Sequence, residues 1–446
     1  MHNNMTKGHP GKLIVKFTIP VFIGNVFQQF YSMVDAVIVG KFVGTKALAG
    51  VGATGTINFL IIGFLIGLTA GFTVLTAQKF GAGKTEEMRK TVASAAVLSV
   101  IMSVIMTAVS MVGMKSLLIF MNTPDDIFQY AYEYIMIICG GIFAQVLYNL
   151  VSSILRALGN SKVPLYFLIL AALLNIVLDL VFIIVFKMGA AGAAYATVIS
   201  QGVSGVSCLV YIYFKVPVLH LHKEDWKMDG HLLKMQIGIG FPMALQYSIT
   251  AIGSMMVQSS LNLLGSISVA AFTAASKIEQ IVTQAYVALG TAMATYCAQN
   301  MGAGDVKRIR KGFRSATIIG SAYSVVIGAI LVLVGHYLTY LFVESADVPK
   351  VIGQVRIYLI CVALFFIPLT IVNLYRNGIQ GMGYGLLPMT AGIAELIGRG
   401  VVAVIASGHH SYVGICLASP AAWILAGGLL LIMYFGIMRN LSQNIV

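Results

Sequence analysis

Apolar runs of about twenty residues or more follow one another along almost the whole chain. Short polar stretches rich in Lys, Arg, Gly and Asn separate them. As a helix, a run of that length reaches across the ~30 Å hydrocarbon core of a bilayer. Ten-residue segments of alternating hydrophobicity, the mark of a transmembrane barrel, do not dominate. The pattern predicts twelve helical spans, near 13–40, 47–77, 91–117, 128–153, 164–186, 190–214, 236–264, 268–297, 313–341, 354–375, 388–408 and 411–437. The expected fold class is all-α integral membrane.

The chain also repeats itself. The run Ala77-Gln78-Lys79-Phe80-Gly81-Ala82-Gly83 returns as Ala298-Gln299-Asn300-Met301-Gly302-Ala303-Gly304. Pro20 in the first span matches Pro242 in the seventh. Arg156-Ala157-Leu158-Gly159, ahead of Pro164, matches Gln380-Gly381-Met382-Gly383, ahead of Pro388. Six spans per half mean that both halves enter the membrane from the same side. Such repeats are related by an axis along the membrane normal, a plan found in secondary transporters. The expected organisation is an N-terminal six-helix lobe over 1–214, a polar linker over 215–235 and a pseudo-symmetric C-terminal six-helix lobe over 236–446.

Composition agrees with the pattern: 59% of residues are hydrophobic, only 10% are charged and the mean hydropathy is +0.91. Soluble domains carry about 25% charged residues. The net charge of +13 changes the picture only through its distribution. Twenty of the 28 Lys and Arg residues fall on one set of alternating loops and termini, six on the other, and Lys277 and Arg399 fall inside spans. The positive-inside rule then places both termini in the cytoplasm, in a cell inner membrane. The excess charge is topology, so no nucleic-acid partner is expected. Lys7, Lys12 and Lys16 lead into an apolar run with no small-residue cleavage site, so the first span is expected to be retained. The five cysteines are scattered and are read as small buried hydrophobes. Gly81-Ala82-Gly83-Lys84-Thr85 resembles the end of a phosphate-binding loop. However, Gln78 stands where that motif needs glycine, and the repeat copy continues into Asp305. It is read as a structural turn, with no nucleotide bound. No metal-ligand spacing and no nucleophile with a base stands out, so no enzyme, no catalytic residue and no cofactor is expected.

The chemistry lies in the acids inside the spans. Asp35, Asp179, Glu279 and Glu395 are the four clear of the span edges. A carboxylate in a membrane helix costs at least ~2.5 kcal/mol and marks a functional site by default. From the helix rise, Asp35 lies roughly 9 Å deep, Asp179 about 12 Å and Thr197 under about 15 Å, all in the outer half of the first lobe. Asn175 is one turn below Asp179 on the same face. Two carboxylates with amide and hydroxyl oxygens suit a coupling ion, either H+ or transiently bound Na+ at Asp35, Asn175 and Asp179. The plainer alternative is that each aspartate is an isolated packing group. Pro20 is read as a hinge or a static kink. Glu395 and Arg399, four apart, are expected to pair structurally. Gln28, Tyr31, Met33, Gln246, Met256, Glu279 and Gln284 are candidates to line an adaptable substrate cavity. Methionine at helical spacing is more often core.

These residues together resemble the multidrug and toxic compound extrusion (MATE) family. The segment Ile19-Pro20-Val21-Phe22-Ile23-Gly24-Asn25 through Tyr31-Ser32-Met33-Val34-Asp35 to Gly40 resembles the family's opening pattern. Leu48-Ala49-Gly50-Val51-Gly52, Ala298–Gly304 and Leu155-Arg156-Ala157-Leu158-Gly159-Asn160 follow it. The resemblance implies two six-helix lobes around a central cavity that opens alternately inward and outward. It also implies export of drug-like, often cationic amphiphiles in exchange for H+ or Na+. It carries the cation site onto Asp35, Asn175, Asp179 and Thr197, with Tyr134 and Asn149 of the fourth span in the same network. Another branch of the family uses acids in spans seven and ten. Here the span-seven position is Thr250 and span ten has no acid, so the chain is closer to the DinF/MepA-like branch, and Glu279 resembles that branch's span-eight glutamate. The expected partners are small drug-like molecules and the bilayer, with the chain acting as a monomer. The alternatives are a flippase for a lipid-linked sugar precursor and, from another class, a membrane-embedded enzyme or receptor.

Overall fold

The computed structural model describes residues 4–443. Residues 1–3 of the expected N-terminal lobe range and 444–446 of the C-terminal one lie outside the described residues. Every regular element among the described residues is a helix. The first half contains α1 (Pro10–Phe42), α2 (Thr45–Ala53), α3 (Gly55–Phe72), α4 (Val74–Gly81), α5 (Thr85–Phe120), α6 (Asp125–Gly140), α7 (Ile142–Ala157), α8 (Lys162–Leu180) and α9 (Ala190–Lys215). The second contains α10 (Gly230–Asn262), α11 (Ser266–Gly302), α12 (Val306–Val334), α13 (Thr339–Phe342), α14 (Val348–Ala363), α15 (Phe366–Gly381), α16 (Leu386–Gly408), α17 (Tyr412–Cys416) and α18 (Ala418–Gln443).

The expected spans map onto these helices. Eight are long and apolar enough by themselves to cross a membrane, and two bent pairs raise the number to ten. The remaining two, α10 and α11, have 33 and 37 residues and are long enough to span. Polar positions such as Gln246, Thr250, Ser254, Lys277, Glu279 and Gln284 dilute their apolar character. The spans read as continuous over 128–153 and 354–375 are each broken. α6 and α7 meet at 50° around Gly141, and α14 and α15 meet at 52° after Leu364. A Cβ on Gly141 would lie 2.3 Å from Val198 Cγ2, so only glycine lets the start of α7 settle on α9. In the second span, Pro368 cannot donate to the Leu364 carbonyl, and the helix restarts there.

The repeats fold alike. Ala82 and Ala303 both adopt φ −75°, ψ −7°. The glycines after them, Gly83 and Gly304, have φ of +72° and +71°, a region where any side chain is strained. This is the structural turn expected for both copies of the Gly-Ala-Gly motif. In the first half α9 packs on α7 and α8, and in the second α18 packs on α15 and α16.

The chain forms two compact units. One comprises Ile23–Ala244, and the other comprises Met5–Phe22 with the chain from Leu245 on. The sequence reading drew the lobe boundary at the polar linker, 215–235. The contacts draw it inside α1 and α10, two residues beyond Pro20 and two beyond Pro242.

The first unit is built around Leu65, Leu118, Ile135 and Ala194, all fully buried. The early part of α10 lies directly on α3. A Cβ on Gly71 would sit 2.3 Å from Gly240 Cα, and one on Gly67 2.6 Å from the Met243 carbonyl. Lipid tails are as apolar as leucine, so membrane helices associate through such close backbone contact at small residues. The Gln236 side-chain amide, fully buried, donates to the Phe72 carbonyl at 3.1 Å and the Thr91 carbonyl at 2.9 Å. The linker is pinned to this unit as well. Asp225, 2% exposed, accepts from Arg89 Nε at 3.1 Å and from the His222 N–H at 2.7 Å.

The second unit packs Tyr286, Tyr296, Phe313 and Phe366 into its core. It holds the segment leading into α1. The Met5 N–H donates to Gln299 Oε1 at 2.8 Å, and Arg308 donates to the Met5 and Gly8 carbonyls at 3.0 and 2.8 Å. All five cysteines are buried and free, as small hydrophobes would be.

The glycine contact yields a measurable contrast. Gly71→Ala must push α3 and α10 apart and is expected to cost about 1–3 kcal/mol. Gly113→Ala meets nothing within 4 Å and should be neutral or slightly stabilising. Thermal unfolding of the two purified variants in detergent checks this. Equal melting temperatures would show that the α3–α10 contact is not close.

Candidate cation site

Five helices of the first unit, α1, α6, α7, α8 and α9, supply the predicted polar groups. On α8, Asn175 and Asp179 lie one turn apart, 2% and 0% exposed. Directly after them the helix widens into a π-turn, Val181–Val185. Such turns are frequent at functional sites. The segment closes with Lys187 at φ +52°.

Asn175 links Asp179 to α9. With its amide nitrogen facing Asp179, it donates to Asp179 Oδ2 at 3.1 Å. Its oxygen then accepts from Thr197 Oγ1 and the Thr197 N–H, each at 3.2 Å. This orientation satisfies both ends of the amide, which is how such assignments are made. The Thr197 hydroxyl also lies 3.1 Å from the Ala193 carbonyl, which anchors it to its own helix.

From α1, half-buried Asp35 brings its carboxyl within hydrogen-bonding reach of Asp179. Oδ1 of each aspartate is buried and has no protein partner. Two ionised carboxylates this close in a medium of low dielectric repel strongly. The arrangement closes when a positive particle, a proton or a small cation, lies between them. Among the described residues no cluster of three or more His, Cys, Asp or Glu could hold a metal ion. The acids stand as a pair completed by neutral oxygens, a donor set for a proton or a hard monovalent ion.

The other candidates divide. Tyr134 on α6 is 6% exposed and lies within electrostatic range of Asp35, Asp179 and Tyr31, so it joins the cluster. Asn149 on α7 donates instead to the Gln145 carbonyl of its own helix at 2.9 Å. Tyr31, expected in a substrate cavity, sits one turn before Asp35. Its hydroxyl lies within electrostatic range of Asp35 and of the side chains of Gln28 and Gln201. Tyr31 therefore borders the acid pair. Met33 is exposed. The sequence reading missed Gln201, although it follows Thr197 by four residues on the same face of α9. Pro20 lies inside a helix that runs from Pro10 to Phe42 without interruption.

In the second unit Glu279 accepts a hydrogen bond from the Tyr358 hydroxyl. Gln246 is 6% exposed, is packed against Gly392, and has neither polar atom of its amide partnered. Met256 places its methyl against Gly400, and Gln284 is half-buried. Glu395 pairs with Arg399 at 2.7 Å as expected. It also pairs with Arg376 at 2.6 Å. The sequence reading counted Arg376 with the basic loops. It lies inside α15, because that helix continues to Gly381, and its side chain turns onto α16.

Among the described residues the chain is an all-helical membrane protein of two like-folded repeats with Asp35 and Asp179 brought together in the first. The comparisons with known proteins specify the family. The MatE family model matches residues 20–181 and again 239–405, once in each repeat. The chain is 33% identical over 379 residues to a protein of Bacillus subtilis (strain 168) named probable multidrug resistance protein YpnP, covering 84% of this chain and 83% of that one. It is 26% identical over 388 residues to a probable multidrug resistance protein NorM of Thermotoga maritima, covering 85% and 81%. Its fold superposes with a TM-score of 0.92 on a crystal structure described as MATE in complex with MaL6, at 24% identity and over 99% of both chains. The chain belongs to the multidrug and toxic compound extrusion family.

The geometry separates two asparagines. Asn175→Leu removes the amide that orients Asp179 and should weaken the driving ion's apparent affinity about tenfold. Asn149→Ala removes only an intrahelical bond and should stay within about twofold. The half-saturating ion concentration for efflux of a fluorescent dye reads both. Equal losses would place Asn149 in the network.

Proposed function

We propose that the chain is a secondary multidrug antiporter that exports organic, often cationic amphiphiles in exchange for H+ or Na+, and that Asp35 and Asp179 carry the ion. The supporting observation is the facing of these two carboxyls, each with one buried oxygen lacking a partner. A site with that deficit gains most from an ion that arrives and leaves. Loading it neutralises the pair and tightens α1 against α8. Unloading restores the repulsion. Coupling follows if the drug and the ion favour opposite conformations. The names of the bacterial relatives support drug-like substrates. The charge distribution, nineteen basic residues against six once Arg376 is set inside α15, supports an inner-membrane protein with both termini cytoplasmic. The competing flippase reading calls for basic side chains free to meet a lipid phosphate inside the membrane. Of the bases inside spans, Arg376 and Arg399 are both engaged by Glu395, which leaves Lys277 on α11 as the one in no ion pair among the described residues.

The test uses purified protein in liposomes. Uptake of a cationic dye is followed under an imposed pH gradient or an imposed Na+ gradient, for the native chain and for Asp179→Asn. The expected result is transport driven by one gradient and abolished in the variant, with folding intact. Full activity in the variant would refute the role of the acid pair. A folded native protein that moves no dye under either gradient would refute the substrate class.

A further inference from the structure

Several basic residues at the positively charged end of the molecule have partners. Lys79 and Lys84 meet Glu87, Arg89 meets Asp225, Arg308 holds backbone carbonyls, and Arg310 donates to Ser442. Lys311 and Arg314 instead border a depression. Both are exposed, and neither takes part in any ion pair among the described residues. With His9, Pro10, Ser315 and Ile318 they line a depression of about 470 Å³ in the second unit. It is a wedge between the first turn of α1 and the second and third turns of α12, where a Cβ on Gly11 would come within 3.7 Å of Ser315 Cβ. No acid lines it. Below the basic rim the same face of α12 turns mainly apolar, with Ser321 its one polar position before Val325. Ile318 and Val325, seven residues apart, are 60% and 62% exposed, as side chains facing lipid tails are.

From this we infer that the wedge between α1 and α12 is a seat for an anionic phospholipid. The headgroup phosphate lies between Lys311 and Arg314 with His9 beside it, and the acyl chains run along Ile318 and Val325. Charge complementarity supports the phosphate, because two cations without counter-ions face a pocket free of acids. Continuity with an apolar, outward-facing stripe favours a lipid over a soluble anion. Basic pockets at this level of a membrane protein are suited to such headgroups. The Arg314 guanidinium can grip two phosphate oxygens at once, and Lys311 adds a point charge.

The test is native mass spectrometry of the full-length protein released from neutral detergent. Dihexanoyl phosphatidylglycerol, the phosphatidylcholine of equal chain length and glycerol 1-phosphate are titrated separately. The native chain should retain phosphatidylglycerol in preference to the other two. The Lys311→Gln/Arg314→Gln double variant should bind it about tenfold more weakly or worse. A linker variant with the same loss of charge, Lys223→Gln/Lys227→Gln, should bind within about twofold of native. Equal weakening in both variants would reduce the effect to net charge and overturn the seat. Equal retention of phosphatidylcholine would overturn the role of charge. Glycerol phosphate binding as tightly as the lipid would make the ligand a soluble phosphate and overturn the lipid assignment. Both pairs of residues are exposed, and a matching melting temperature of all three proteins in neutral detergent checks that they fold.

Discussion

Inside a bilayer a polar group has no water to turn to, and this constraint shapes the molecule at every level. It makes every span a helix, which keeps its backbone hydrogen bonds to itself. It also removes the usual reason for helices to stick together, because burying leucine against leucine gains little over burying it in lipid. Association then depends on how closely backbones can approach. The glycines of α3 and α10 supply that approach in the first unit. Gly381 supplies it in the second, where a Cβ would come within 2.2 Å of the Ala294 carbonyl on α11. Where a polar side chain is buried, it is recruited as a fastener. Gln236 closes over two carbonyls exposed where α3 gives way to α4 and near the start of α5, and Asp225 ties the linker to Arg89.

Against that background the acid pair is the exception. The Arg376–Glu395–Arg399 cluster shows how this chain buries a carboxylate for stability: both oxygens are engaged by guanidinium groups at 2.6 and 2.7 Å. Asp35 and Asp179 have no such cation. They have each other, an amide on one side and tyrosines around them. The two arrangements differ in whether the compensating charge is covalently part of the chain. A site whose positive charge must come from outside suits the binding and release of an ion.

Much of this was legible in the sequence, for identifiable reasons. Helix existence, the repeat and the face shared by Asn175 and Asp179 follow from periodicity, and periodicity is local. The convergence of Asp35 with Asp179 was reachable from depth alone, since helix rise is constant and the basic loops mark the surfaces. Depth does not give azimuth. That is why Asn149, at a plausible level, turns to its own helix, and why Tyr31 lies beside Asp35. Arg376 was misplaced because a charged residue at the end of an apolar run reads as loop, whereas a partner on α16 lets α15 continue past it. The broken spans were hidden for a related reason. A glycine or a proline inside an apolar run is compatible with a straight helix, a kink or a break, and the neighbour decides which.

The division of the chain at Phe22 and Ala244 has a consequence for how such a protein could arise and be taken apart. The repeat suggests two equal genes joined end to end, and the polar linker looks like the seam. The compact units do not respect that seam. A first half ending in the linker would lack residues 230–244, whose glycines lie against α3 and whose Gln236 caps the Phe72 and Thr91 carbonyls. A second half starting there would lack residues 5–22, leaving Gln299, Asn300 and Arg308 without the backbone they hold. Each half has its missing piece on the other polypeptide. Separately made halves would therefore each be incomplete alone.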